Sequence, residues 1–382
     1  MKIVHIADTH LGLTAFNRLD PETGMNLREK LIYNNFLSTI DHIILKHPDA
    51  LVHSGDLFDQ IKPKTKAYTT VLEALDRLHE ADIPFVVIAG NHSMTKTRYT
   101  TSPFQVLTYH PANLYAAYSF QYEKVELGDT IFHLIPNMLH PQDYRTAYDQ
   151  IELSSNHHNV LVTHGLASVI KDKRLATVAE HELDNTILSP KFDYIALGHY
   201  HRQSQITDNA WYSGSIEYLT YGEINDKKGG LVIDLNSHKV QHISFPSTPM
   251  IDIGSIDCGD SNTDNITLNI VQRIEKHQTP ALAMVQVTLE NVSREHGKGP
   301  DIRTLAKVRE RLLDLKFRIK SEKGEHPVPI QQDIRAINYL QEFGIFVKKQ
   351  QLSLKKREFV ERSGLDILKT VMEQHKEAVD DH

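Results

Sequence analysis

Five short apolar runs in this 382-residue chain end in side chains that can hold a divalent cation. Asp8 and His10 close the run that begins at Lys2, and Asp56 follows Ala50–Val52. Asn91 and His92 follow Pro84–Ala89, and His164 follows Val160–Val162. Phe192–Leu197 leads into Gly198-His199-Tyr200-His201. One such ending is an ordinary turn far more often than a ligand pair. Five along one chain form a pattern, because in open α/β sheets the carboxyl ends of strands are where ligands collect. Mixed imidazole and oxygen donors without thiolate favour Mn²⁺, Fe²⁺, Co²⁺ or Zn²⁺ over a dedicated Mg²⁺ cage. The donor types do not choose among those four.

The inventory also divides evenly. A carboxylate has two oxygens, so Asp56 is the candidate to bridge two cations. Asp8, His10 and His201 would join it on one, and Asn91, His164 and His199 on the other. Two divalent ions against two carboxylates leave a formal charge near +2, matched to a phosphodiester and its transition state. The chemistry implied is two-metal phosphoester hydrolysis, with in-line attack at phosphorus and ions roughly 3.5–4 Å apart. His92 neighbours the ligand candidate Asn91 but is not needed to complete either set. It is the candidate catalytic group, placed to protonate the leaving oxygen or stabilise the phosphorane-like state. His53, on the other side of its strand from Ser54, reads as packing or as support for a ligand, and His157-His158 as a solvated turn.

The elements that must position these residues read as an α/β domain over the first 250 residues, with short apolar runs alternating with amphipathic stretches. A helix is expected from about Asn26, which can cap it with Glu29 three residues on, and a second over Thr65–His79. Weaker strands are expected at Leu114–Ala117 and Thr130–Ile135. Alternation in Ser204–Ile206, Ala210–Tyr212, Leu231–Leu235 and Val240–Phe245 predicts an antiparallel continuation. Pro, Ser, Gly and Asp cluster over Pro246–Asp260, which marks a boundary. Beyond it a small α+β unit is expected, with Asn265–Ile274 helix or strand, Leu282–Leu289 a strand and Ile302–Leu315 a charged helix. Pro327-Val328-Pro329 is a second break, followed by helices over Ile330–Phe343 and Lys355–His375, with Val347-Lys348-Lys349 between them. The domain scheme is therefore 1–248, 249–326 and 327–382.

Composition limits the setting. The single cysteine, Cys258, excludes an internal disulfide and a multi-thiolate zinc site, and suits a reducing cytoplasm. No apolar run approaches the ~18 residues that span a membrane, and Met1–Ala7 reads as a strand and not a leader. The formal net charge of −7 is unevenly spread: residues 292–382 carry an excess of four basic residues, leaving −11 on the rest. The acidic part holds the candidate metal site. The basic part, with Lys348, Lys349 and Lys355-Lys356-Arg357, is where phosphate backbones would be met, although such runs are by default a solvated face.

Asp8-Thr9-His10-Leu11-Gly12, Ser54-Gly55-Asp56-Leu57-Phe58, Gly90-Asn91-His92, Thr163-His164-Gly165 and Gly198-His199-Tyr200-His201 together resemble the calcineurin-like metallophosphoesterases. More narrowly they are similar to the Mre-eleven/SbcD nucleases of DNA double-strand-break repair, and with Tyr212-Ser213-Gly214-Ser215 and the chain length, to archaeal members. The resemblance implies a four-layer α/β sandwich, two Mn²⁺ ions with the ligand division above, and exonuclease and endonuclease activity on DNA. It also implies a small capping, DNA-binding domain, a C-terminal helical segment docking on a Rad-fifty/SbcC-type coiled-coil ATPase, and a homodimer near the nucleoid. Two positions depart from it. Asp59 stands where some relatives carry a histidine that handles DNA ends, and Ser93 stands where an acidic residue is common beside the catalytic histidine. Asp59, Ser215, Lys348 and Lys349 are the candidate DNA contacts. A phosphoesterase acting on small molecules or phosphoproteins is the rival reading, but Gly55-Asp56-Leu57-Phe58-Asp59 lacks the Arg-Gly of the phosphoprotein type. A mainly architectural subunit that tethers DNA ends is the third, and the intact ligand set argues against it.

Overall fold

The computed structural model describes residues 1–95, 97, 101–170, 182–183, 185–259, 261–292, 299–320, 343, 347, 356, 358–365 and 367. By its internal contacts the chain divides into two units, Met1–Ser321 and Glu322–His382. In the first, β1 (Lys2–Ile6), α1 (Leu27–Ile44), β2 (Ala50–His53), α2 (Thr65–Glu80), β3 (Phe85–Ile88), α3 (Phe104–Leu107) and β4 (Leu114–Ala117) come first. Next are β5 (Glu123–Leu127), β6 (Thr130–Ile135), α4 (Pro141–Tyr148), β7 (His158–His164), β8 (Leu166–Ala167), β9 (Glu182–Leu183) and β10 (Tyr194–Gly198). Then follow β11 (Ser204–Gln205), β12 (Ala210–Tyr212), β13 (Gly230–Asp234) and β14 (Lys239–Ile243). The unit closes with β15 (Met250–Asp257), α5 (Thr263–Lys276), β16 (Met284–Glu290), α6 (Ala306–Arg311) and β17 (Asp314–Lys320).

Two six-stranded mixed sheets stack face to face, ordered β14-β13-β1-β2-β3-β4 and β11-β12-β10-β7-β6-β5. The parallel strands β1 to β3 and β7 are buried along almost their whole length, the pattern of strands covered on both faces. Val52, Val86 and Ile88 of one sheet meet Phe132, Val160, Val162 and Ala196 of the other in an apolar middle layer. Helices α1 and α2 cover the outer face of the first sheet through Ile32, Phe36, Val71 and Leu75. Tyr144 and Ala147 of α4 cover the second through Leu161, Ile195 and Leu197. Helix, sheet, sheet, helix is the four-layer sandwich that the resemblance implied. The α1 start follows from capping: the Asn26 side chain accepts from the Glu29 amide at 3.1 Å. Glu29 does not complete a capping box, because its carboxylate bonds Tyr33 and Lys64 instead.

A third, three-stranded parallel sheet, β15-β16-β17, spans Met250–Lys320 around its own apolar cluster of Ile266, Ile270, Val285, Val287 and Leu289. Arg28 ties the segment ahead of it to α1. Buried with Glu217, it bonds that carboxylate at 2.9 Å and the Thr248 hydroxyl at 2.6 Å. A buried pair so fully hydrogen-bonded costs little, whereas either partner alone would be strongly destabilising. Arg18 donates to the Glu310 and Leu312 carbonyls at the end of α6.

Several expectations need correction. Ile302–Leu315 is not one helix: α6 covers only Ala306–Arg311, and Asp314–Lys320 is the strand β17, parallel to β16. Asn265–Ile274 lies inside helix α5. The two predicted hairpins exist but serve different sheets, β11-β12 the second and β13-β14 the first. His158 opens β7 and is hydrogen-bonded to Asn236 and Asp193, so it is not a solvated turn. In the second unit every described residue is helical, Val347 included, which was expected between helices. Lys348 and Lys349 lie outside the described residues. No described helix is long and apolar enough to cross a membrane.

Candidate metal centre

The ends of β1, β2, β3, β7 and β10 deliver the predicted donors to one place at the seam of the two large sheets. The parallel pairings β1-β2-β3 and β7-β10 put these ends on the same side of each sheet. The backbone turns sharply to aim the donors: Asp8, His10, Asp56 and His199 all have positive φ, at 52°, 45°, 55° and 101°. Such strain persists only where surrounding structure imposes it, and it clusters at functional sites. Glycine makes the close approaches possible. A Cβ on Gly90 would stand 2.3 Å from Asp56 Oδ1, and one on Gly198 would stand 2.0 Å from the Ser54 carbonyl.

Among the described residues the donor atoms fall into three groups, each within 4.8 Å: Asp8, His10 and His201; Asp56, His164 and His199; and His10, Asp59 and His92, which shares His10 with the first. Asn91 completes the second group, its Oδ1 lying 2.8 Å from His164 Nε2 and 3.2 Å from His199 Nδ1. Asp56 stands between the first two, with Oδ2 3.3 Å from His164 Nε2 and 3.8 Å from His10 Nε2. Backbone amides fix both carboxylates: His199 N donates to Asp8 at 3.0 Å, and His92 N donates to Asp56 Oδ1 at 2.9 Å. His10 Nε2 is buried with no hydrogen-bond partner. A buried imidazole nitrogen left without a partner, facing carboxylate oxygens, fits a divalent cation well.

The electrostatics are those of carboxylates and imidazoles packed together out of water. Burial alone would raise the Asp56 carboxyl, but the His164 imidazole against it, with His10 beyond, holds it far below the usual carboxylate range. Burial would likewise lower His164, yet Asp56 and then Asp8 carry it up to about 9. His199 is pushed down to about 3 by burial and by His164, against the pull of Asp56.

A second layer, which no motif announced, holds the imidazoles. His201 Nδ1 donates to Glu223 Oε1 at 3.1 Å, and Glu223 also accepts from Lys228 Nζ at 2.6 Å and the Leu219 amide at 3.0 Å. Against the cost of burial, His201 and Lys228 keep the Glu223 carboxyl at about 2. His10 Nδ1 lies 3.1 Å from Asp59 Oδ1, and His164 Nδ1 donates to the Ser54 carbonyl at 2.9 Å. Glu223 sits in a short 3-10 turn, Tyr221–Glu223, whose Tyr221 hydroxyl donates to Asp314 of β17 at 2.8 Å. Beneath the site, buried His5 bonds Ser54 Oγ and Tyr194 of the opposite sheet, and His53 bonds Thr9.

His92 differs from the ligand candidates. Its side chain is 45 % exposed, against 3 % for His10 and 29 % for His201, so it is more open to solvent than either. Its Nδ1 donates to the Asp59 carbonyl at 3.1 Å, so ring orientation survives without an acidic neighbour at Ser93. Ser93 is buried, with its hydroxyl accepting from the Gly90 amide. Asp59, mostly buried, is engaged by His10. Ser215 corrects the expectation placed on it: it is fully buried and its hydroxyl is spent on the Glu217 carbonyl and Lys228, so it has no surface to offer DNA.

Stacked mixed sheets with this donor set at their seam define a calcineurin-like phosphoesterase, and the model of that family matches residues 1–203. The DNA double-strand break repair protein Mre11 of Methanocaldococcus jannaschii is 30% identical over 72% of this chain and 74% of its own length. The protein of the same name from Sulfurisphaera tokodaii is 30% identical over 73% of this chain and 70% of its own. The SbcD component of the nuclease SbcCD from Staphylococcus epidermidis is 27% identical over 67% and 72%. The chain belongs to the Mre11/SbcD family, and is a metal-dependent phosphodiesterase of the nuclease type.

Proposed function

We propose that the chain is a DNA nuclease of double-strand-break repair that hydrolyses phosphodiesters with two Mn²⁺ ions. Asp8, His10 and His201 would hold one ion and Asn91, His164 and His199 the other, with Asp56 available to both. The observation that carries this reading is Asp56 Oδ2, which stands within 3.8 Å of an imidazole from each group, one of them orphaned. When bound, the two ions neutralise the phosphodiester charge and acidify the attacking water. The protein supplies the rest. The amides of His92 and His199 lock the two carboxylates, so no ligand reorganises as charge develops. His92, anchored at Nδ1 and open to solvent at its other edge, gives a proton to the leaving oxygen. The names of the relatives support DNA as the substrate. Residues 249–326 act as the capping, DNA-binding domain, and 327–382 dock on a Rad-fifty/SbcC-type ATPase. Lys348 and Lys349 meet phosphate backbones, Asp59 is a further DNA contact, and the protein works as a homodimer.

Purified protein with Mn²⁺ is expected to degrade end-labelled DNA, and EDTA to stop it. Hydrolysis of nitrophenyl phosphodiesters with no cleavage of DNA, with or without the ATPase, would favour the small-molecule reading instead.

A further inference from the structure

A cavity of about 380 Å³ opens at one edge of the sandwich, between the strand pair β11-β12 of one large sheet and β13-β14 of the other. Trp211, Leu231 and Val240 form its apolar lining and are continuous with the middle layer. Arg202, Lys227 and His242 share the lining and are exposed, and no acidic residue joins them, although residues 1–291 are acidic overall. Arg202 is only loosely paired, its Nε lying 3.8 Å from Asp226, and Lys227 pairs with no carboxylate among the described residues. Burial and then the Lys227 ammonium hold His242 below the usual histidine range, so these two side chains act on one another. The Trp211 indole N–H is buried and has no hydrogen-bond partner among the described residues, an exception that calls for a missing partner. A cavity of this size suits one small ligand. An indole on its apolar wall stacks with any base, and open Arg and Lys side chains take a phosphate. The lining therefore selects a molecule that is aromatic at one end and anionic at the other.

We propose that this cavity is a nucleotide subsite, with the base against Trp211 and the phosphate on Arg202 and Lys227. Its occupant is one nucleotide unit, from single-stranded DNA or from a free mononucleotide, and only the first source rests on the nuclease reading above. Trp211 is the chain's one tryptophan, so indole fluorescence reports on this cavity alone. The full chain is titrated in EDTA with dAMP, single-stranded oligodeoxyadenylate, deoxyadenosine and inorganic phosphate. Saturable quenching by dAMP, by the oligonucleotide or by both is expected, and the pattern identifies the source. Deoxyadenosine and phosphate, each lacking half of the ligand, should bind at least about tenfold more weakly. Lys227→Gln and Arg202→Gln should each raise the dissociation constant by about tenfold, the scale of losing one charge-assisted contact. Both side chains are exposed, so the fold of each variant should survive, as circular dichroism checks. Absence of saturable quenching by dAMP and by the oligonucleotide, quenching unmoved in both variants, or phosphate alone binding as tightly as the nucleotide would overturn the proposal. The expected quenching in a protein that fails to cleave DNA with Mn²⁺ would overturn the nuclease reading and leave the subsite standing.

Discussion

The two halves of the site look alike in their ligands and unlike in their surroundings. Each takes donors from both large sheets, and each leans on Asp56. Yet in the Asp8–His10–His201 half both imidazoles present Nδ1 to a carboxylate, whereas in the other half His164 presents Nδ1 to the Ser54 carbonyl. The difference shows that the identity of the first contacts does not determine how a cation is held. What stands behind each imidazole sets its tautomer and strength.

The most severe test of this division is Asp56→Asn, because the bridging residue belongs to both halves. Both ions should weaken and phosphodiesterase activity should fall by about 10³-fold or more, the scale of losing a principal charge-stabilising group. Retention of two tightly bound ions would dissolve the idea of a shared carboxylate. His92→Ala belongs to neither half, so Mn²⁺ titration should be unchanged while turnover drops by about 10²- to 10⁴-fold. A loss of metal would make it a ligand instead. His201→Ala and His199→Ala should each lower affinity by about tenfold or more, but for different ions. Identical titration curves for the two variants would erase the boundary between halves.

The smallest effect lies beneath both halves. Burial, and then His53, pushes His5 down to about 3. The unfolded chain therefore takes up a proton near pH 6.5 that the folded chain refuses until about pH 3. Stability rises with pH across that window and is lost as pH falls below 6.5, at up to about 1.4 kcal/mol per unit. Urea unfolding between pH 6.5 and 5 should show this slope, and His5→Gln should remove His5's share of it.

Much of the site could be read from the sequence because strand ends are local. An apolar run followed at once by Asp, Asn or His says both where the backbone goes and what it carries. The backing residues were not legible for the opposite reason. Glu223 and Lys228 lie in a polar loop stretch, and only the fold brings them to His201. The misread Ile302–Leu315 segment shows the same limit. Its charged residues favour helix locally, but Leu312 leaves α6 in an extended conformation, and the ladder offered by β16 takes Asp314–Lys320 as a strand. Asn26 and the two hairpins, whose signals need no distant partner, were legible almost to the residue.

The Tyr221–Glu223 turn joins the candidate metal centre to the third sheet in three residues. At one end Tyr221 is bonded to Asp314 and lies under the Lys316 ammonium, 4.7 Å from its ring centre, both on β17. At the other, Glu223 holds His201. Three residues thus tie the third sheet to the His201 imidazole without passing through either large sheet.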